Sequence, residues 1–121
     1  MQVYSQSTGR WLNADGDLLG IGYSGLGVGL NNPAYEDVEG IGPIPFGRYT
    51  IKAPVDDNET GPYSMHLVPD ADNEMYGRWG FLIHGDNATM DHTASHGCII
   101  LTRPVREAIW GTGDARFTVT H

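Results

Sequence analysis

The chain has 121 residues, enough for one modest hydrophobic core and too little for two. Its seven Lys and Arg against fifteen Asp and Glu give a net charge of −8, and the scattered basic residues argue against a nucleic-acid partner. No apolar run reaches the roughly 18–20 residues that a bilayer crossing needs, the opening MQVYSQSTGR lacks the apolar stretch of a signal peptide, and a single cysteine excludes an internal disulfide.

Seventeen glycines and seven prolines spread along the chain predict short strands and many turns, a mostly β domain spanning 1–121. VYSQ, WLN and LLGIGY read as three strands of a meander, punctuated by STGR and ADGD. Residues 24–31, SGLGVGLN, read as a loop. NNPAYEDVEG then predicts a short helix, with Asn32 as cap and Pro33 in its first turn. The prolines of GPIPF oppose central pairing, whereas RYTIK alternates at the period of a half-buried strand. After the turn-rich DDNETGP, YSMHLVP alternates again, with Tyr63, Met65 and Leu67 on one face and Ser64, His66 and Val68 on the other. WGFLIH is an apolar run of strand length that ends on His84. TRPVREAIW predicts two or three helical turns with Thr102 or Arg103 as cap and Val105, Ile109 and Trp110 near one face; RFTVTH closes the chain as a strand.

The only cysteine, Cys98, lies in HTASHGCIIL. A thiol attacks a carbonyl as thiolate, so a nucleophilic cysteine needs a base close by. Two histidines qualify. His84 ends the preceding strand, and pairing of that strand with the segment at Cys98 brings it beside the sulfur. His96, two residues before Cys98 in the same extended segment, projects to the face of the sulfur. Gly97, without a Cβ, lets a substrate approach the backbone and leaves N–H groups for an oxyanion.

LIHGDN followed by ASHGCIIL resembles the catalytic signature of the L,D-transpeptidase (YkuD-like) domain, and GPIPFGRYTI is similar to the strand that leads into that family's site. VYSQSTGRW, GYSG with NNP, GPIP and FLIHGD bring the chain closest to the small L,D-transpeptidase-like toxins of type VI secretion, a resemblance running from Val3 to about Leu101. It implies a small β-sandwich or barrel-like fold with one or two short helices, and a peptidoglycan stem peptide as substrate. Cys98 is then the nucleophile that expels the terminal D-Ala of a tetrapeptide stem, and His84 the base, its ring oriented by the Gly85 carbonyl. Gly97 and Cys98 N–H groups hold the oxyanion, while Ser95 and His96 shape the pocket. Water or an amine resolves the thioester, giving L,D-carboxypeptidase or transpeptidase exchange without a cofactor or metal. The resemblance also implies a toxin made in the cytoplasm and delivered to the periplasm of a target bacterium, with a secretion apparatus and a cognate immunity protein as partners. In one place the pattern departs: many cell-wall members carry Arg or Asn two residues after the cysteine, where this chain has Ile100, which makes Arg103 the first candidate to read the substrate carboxylate.

Two other classes compete. His84, Asp86, His92, His96 and Cys98 are acceptable zinc ligands, and His92 with His96 has i,i+4 spacing, which would make a zinc-dependent peptidoglycan peptidase. A non-enzymatic wall-binding module would use exposed aromatics such as Trp11, Tyr35 and Trp79. His66 is expected on an exposed strand face, and Arg48 and Arg78 are further cations able to meet a carboxylate. A papain-like order ranks below the zinc reading, since no histidine but the terminal His121 follows Cys98.

Overall fold

A computed structural model describes residues 1–121. It has ten strands: β1 Gln2–Ser5, β2 Arg10–Leu12, β3 Leu18–Ile21, β4 Tyr23–Ser24, β5 Gly47–Ile51, β6 Val55–Asp57, β7 Gly61–Pro69, β8 Leu82–His84, β9 Ile99–Ile100 and β10 Arg116–Thr120. One α-helix, α1 Arg103–Gly111, and two short 3-10 turns, Gly27–Gly29 and Pro33–Tyr35, complete it. The strands form one mixed sheet in the order β3-β2-β1-β10-β5-β7-β8-β9-β4, with β6 hydrogen-bonded to β7. Only β1–β10 and β8–β9 pair in parallel.

Chain connectivity closes this sheet. The strands β3 and β4 stand at opposite ends of the order, yet Gly22 alone separates them in sequence. The two edges therefore meet at Gly22, as in a barrel. Its N–H bonds the Gly9 carbonyl at 2.8 Å, and a Cβ there would lie 1.8 Å from the Ile100 carbonyl oxygen, so only glycine fits the seam. Inside, Tyr4, Trp11, Tyr49, Met65, Ile83, Ile99, Phe117 and Val119 join one core cluster, drawing side chains from strands all round the sheet. Trp11 and Phe117 meet at 4.6 Å between ring centroids, and the indole N–H bonds Gln2 Oε1 at 2.9 Å, which satisfies its one donor. The mostly β, barrel-like architecture expected of the sequence is what the chain adopts.

Several elements are shorter than their sequence patterns. LLGIGY is split at Gly22 into β3 and β4, so Tyr23 and Ser24 leave the meander and pair with β9. Only Pro33–Tyr35 of NNPAYEDVEG turns helically, although Asn32 does cap it, its side chain accepting from the Ala34 N–H at 3.2 Å. WGFLIH is regular strand only over Leu82–His84, with the Phe81 carbonyl still accepting from the Leu67 N–H at 3.0 Å, because Gly80 at φ +81° turns the chain just before it. In β7 the alternation slips: Tyr63 has φ +55°, and Ser64 is buried with its hydroxyl donating to the Gly61 carbonyl. In α1 the buried residues are Ile109 and Arg106, whereas Trp110 reaches the surface. Trp11 is core rather than surface; Trp79 is the exposed one.

Candidate active site

Strands β8 and β9 run in parallel with Ile83 opposite Ile99 and His84 opposite Ile100. Ile83 and Ile99 enter the core cluster, so strand alternation turns Leu82, His84 and Ile100 to the other face. Cys98 directly precedes β9 and stands opposite Leu82, whose N–H donates to Sγ at 3.3 Å. His84 and Cys98 are thus diagonal neighbours on adjacent strands, a relation that spans roughly 7–8 Å between backbone positions. The pairing of the His84 strand with the segment at Cys98 is the one the sequence predicts.

The imidazole of His84 is buried, and Nδ1 lies 2.7 Å from the Gly85 carbonyl oxygen. A carbonyl only accepts, so Nδ1 carries the proton and Nε2 is left with a free lone pair. Burial lowers the pKa of His84, opposed by the Gly85 bond and reinforced by the Arg106 charge. The ring is a neutral base at pH 7. Burial pushes the Cys98 thiol up, against the lowering effects of the Leu82 N–H and of Arg78. At rest, therefore, the pair is thiol and neutral imidazole.

Ser95 is buried and fixes the turn that presents Cys98. Its hydroxyl accepts from the N–H groups of Gly25 (2.9 Å) and Gly97 (3.0 Å) and donates to the Cys98 carbonyl at 2.6 Å. Ser24 adds a second tie, donating to the Gly97 carbonyl and accepting from the Ile44 N–H, both at 2.8 Å. Gly97 has φ +140°, and a Cβ there would sit 2.6 Å from Arg78 Nη2 and 2.7 Å from the Phe81 ring. Two expectations change. The Gly97 N–H is committed to Ser95, which leaves the Cys98 N–H as this turn's candidate donor to an oxyanion. The alternation that would carry His96 to the face of the sulfur is broken at Gly97, and His96 instead bonds the Gly40 carbonyl through Nδ1 at 2.9 Å.

Three arginines stand around the site, and the two that are buried are not the one nearest in sequence. Arg103 is exposed, 3.7 Å from Glu107 Oε2, with its guanidinium over the Tyr63 ring. Arg106, one helical turn on, is buried and donates to the carbonyls of Leu101, Tyr63 and Pro62. A Cβ on Gly85 would meet its Nη1 at 2.9 Å, so Arg106 fills the space beside the His84 backbone. Arg78 is buried behind Gly97, over the Phe81 ring, with Nη2 donating to the His96 carbonyl at 3.1 Å.

A depression of about 440 Å³, whose lining includes Gly85, Asp86, Ile100, Arg103 and Arg106, opens next to His84. Asp86 accepts from the Tyr23 hydroxyl at 2.8 Å, which in turn accepts from the Ala94 N–H. This ties the two ends of the crossover between β8 and β9 to β4. Burial, first, and then the Asp86 bond push the Tyr23 hydroxyl up to about 12. His92 packs edge-on against Tyr23, and His66 stands exposed 3.5 Å from Asp57. No three His, Cys, Asp or Glu side chains converge as a metal-holding group, so the zinc alternative has no ligand set in this fold. Ser24, Tyr23 and Arg106 are the site residues that sequence reading does not assign, and it gives Arg78 only as a further cation; none carries a spacing signal, and each depends on a contact between distant segments.

Residues 20–113 match the Tlde1 domain. The chain belongs to the Tlde1-domain family. It is a type VI secretion effector toxin by this membership, which brings with it delivery to target cells, a secretion apparatus and an immunity protein. The Tlde1 match contains every residue of the site just described, while β1, β2 and β10 contribute core from outside it. No curated protein and no solved structure matches the chain. No helix is long and apolar enough to cross a membrane.

Proposed function

We propose that this Tlde1-domain protein is a cysteine acyltransferase acting on peptidoglycan stem peptides, removing or exchanging the terminal D-Ala of tetrapeptide stems in the periplasm of a target cell. One observation carries the reading: His84 and Cys98 are diagonal neighbours on parallel strands, with the imidazole fixed as the Nδ1–H tautomer and its Nε2 unbonded. The resemblance of LIHGDN and ASHGCIIL to the L,D-transpeptidase signature supplies the substrate class.

In this reading the carbonyl preceding D-Ala approaches Sγ, the thiol proton passes to His84 Nε2, and a C–S bond forms. The Cys98 N–H binds the resulting oxyanion; a donor so placed is worth roughly 3–4 kcal/mol of barrier. His84 returns the proton to the departing D-Ala amine as the C–N bond breaks. Water or an incoming amine then attacks the thioester, giving L,D-carboxypeptidase or exchange products. Neither step calls for a metal.

The test is the product spectrum from isolated tetrapeptide stems, with and without added D-amino acid. The wild type should release D-Ala and make tripeptide or exchanged tetrapeptide, and Cys98→Ala should fold and do neither. Wild-type turnover by Cys98→Ala would overturn the proposal.

A further inference from the structure

Next to Cys98 lies a second depression, of about 190 Å³, lined by Glu39, Gly40, Arg78, Trp79, Phe81 and His96. It adjoins the nucleophile. Gly80, between Trp79 and Phe81, places its carbonyl oxygen 3.9 Å from Sγ, and Gly97 abuts both Arg78 and Phe81.

The lining carries charge of both signs and one bare apolar wall. Arg78 is only 5% exposed and has no carboxylate within ion-pair distance. Its Nη1 donates to the carbonyls of Glu36 (2.6 Å) and Pro43 (2.8 Å), and Nη2 to those of Gly42 (2.9 Å) and His96 (3.1 Å). That accounts for four of the five guanidinium N–H groups and leaves Nε–H, with the full positive charge, for a ligand. Glu39 is exposed and makes no hydrogen bond or ion pair, so its carboxylate faces solvent at the rim. His96 keeps Nε2 free once Nδ1 has bonded Gly40. Trp79 is 86% exposed, the barest large hydrophobic side chain of the molecule.

A cation in the floor, an anion at the rim and an aromatic wall, in a space the size of one residue, complement a zwitterion. We infer that this pocket binds a free α-amino acid, its carboxylate toward Arg78 Nε–H, its amino group toward Glu39 and its side chain on Trp79, and that this amino acid is the amine that resolves the Cys98 thioester. The acceptor role rests on the acyl-transfer reading above. The bound ammonium first loses a proton to solvent. Its nitrogen then attacks the thioester carbonyl, the C–N bond forms and the C–S bond breaks. The second N–H proton passes by way of His84 to the sulfur, regenerating the thiol. With the pocket filled, the amine stands where water would otherwise attack, and exchange competes with hydrolysis.

The experiment compares isotopically heavy D-alanine, whose exchange product differs in mass from the starting stem, with D-alaninamide, which lacks the carboxylate, as acceptors for the wild type on a tetrapeptide stem. D-alaninamide should need about tenfold or more higher concentration for half-maximal exchange, the size of effect expected when a charge-assisted bond to a buried cation is lost. Glu39→Gln and Trp79→Ala, both at exposed positions, should each lower the ratio of exchange to hydrolysis products about tenfold at fixed D-alanine. Equal use of both acceptors, with unchanged ratios in the two variants, would overturn the inference. Independently of turnover, D-alanine added to Cys98→Ala should shift the Trp79 indole N–H resonance saturably and leave that of Trp110 in place. Absence of a saturable shift would overturn the pocket's ligand. Absence of any stem turnover by the wild type would instead overturn the acyl-transfer reading and the acceptor role with it, while the titration still decides whether the pocket holds an amino acid.

Discussion

His84 and His96 both precede the nucleophile in sequence, each followed by a glycine, and each bonds a backbone carbonyl through Nδ1. Their surroundings differ. His84 sits at the end of a paired strand, buried, its ring held by the carbonyl of the next residue. His96 is exposed and reaches across to Gly40, in a different part of the chain. Burial lowers the pKa of His84 and keeps it neutral, whereas His96 lies at the lip of the smaller pocket. On the proposed acyl-transfer reading, proximity to the cysteine in sequence does not make the base. The parallel register of β8 and β9 does.

The sharpest way to break this comparison is to exchange the ring for an amide on each side. His84→Gln, measured as kcat/KM on a tetrapeptide stem, should lose about 10²–10⁴-fold, the usual worth of a positioned general base. His96→Gln should cost hydrolysis less than about tenfold, on the same scale of general-base contributions. Equal losses would mean that the two rings share the proton transfer.

The pH profile sharpens the same contrast. Because burial holds His84 below the ordinary histidine value, the base stays unprotonated as pH falls past 6.5, and the acid limb of kcat/KM should lie below that point. Stability follows the same sign. A histidine with a depressed folded pKa contributes fully above its unfolded value of about 6.5 and loses that contribution as pH falls through the folded one. The Cys98 thiol is raised, so alkylation by iodoacetamide should climb with pH to a midpoint above the ordinary thiol range of about 8.5. An alkylation rate already flat at pH 7 would mean a preformed thiolate, and the resting state described above would be wrong.

A smaller effect separates holding the turn from doing chemistry. Ser95→Ala removes three buried hydrogen bonds and leaves the Gly25 and Gly97 N–H groups without a partner. Unfolding free energy measured in denaturant should fall by about 1–3 kcal/mol. The smallest effect is expected at Arg103, whose ion pair with Glu107 is exposed. Arg103→Ala should change stability by less than about 0.5 kcal/mol and leave stem processing near wild type. A tenfold loss there would restore Arg103 as the carboxylate reader.

The comparison also marks how far the sequence is legible. Short alternating stretches such as RYTIK and RFTVTH become β5 and β10 almost residue for residue, because period-2 burial is written locally. His84, Gly85 and Cys98 are equally legible, since strand pairing and one carbonyl suffice to relate them. What is not written locally is closure of the sheet at Gly22, where two strands adjacent in sequence go to opposite edges. Nor do the buried arginines announce themselves. Arg78 follows a glycine in a polar loop and Arg106 lies on an amphipathic helix, and both are held by carbonyls from distant segments. Arg103 drew attention through sequence proximity to Ile100, but the helix points it at Glu107 and Tyr63. The break at Gly97 likewise lies in a backbone angle that one glycine permits and no periodicity reports.

The central claim is that Cys98 takes the acyl group of a stem peptide while His84 takes the proton, and intact-protein mass spectrometry during turnover tests it most directly. Wild-type protein quenched in acid while turning over a tetrapeptide stem should carry the mass of the stem minus D-Ala on Cys98, and His84→Gln should accumulate it far more slowly. Release of D-Ala with no adduct on Cys98, or an unchanged rate of adduct formation in His84→Gln, would contradict the account.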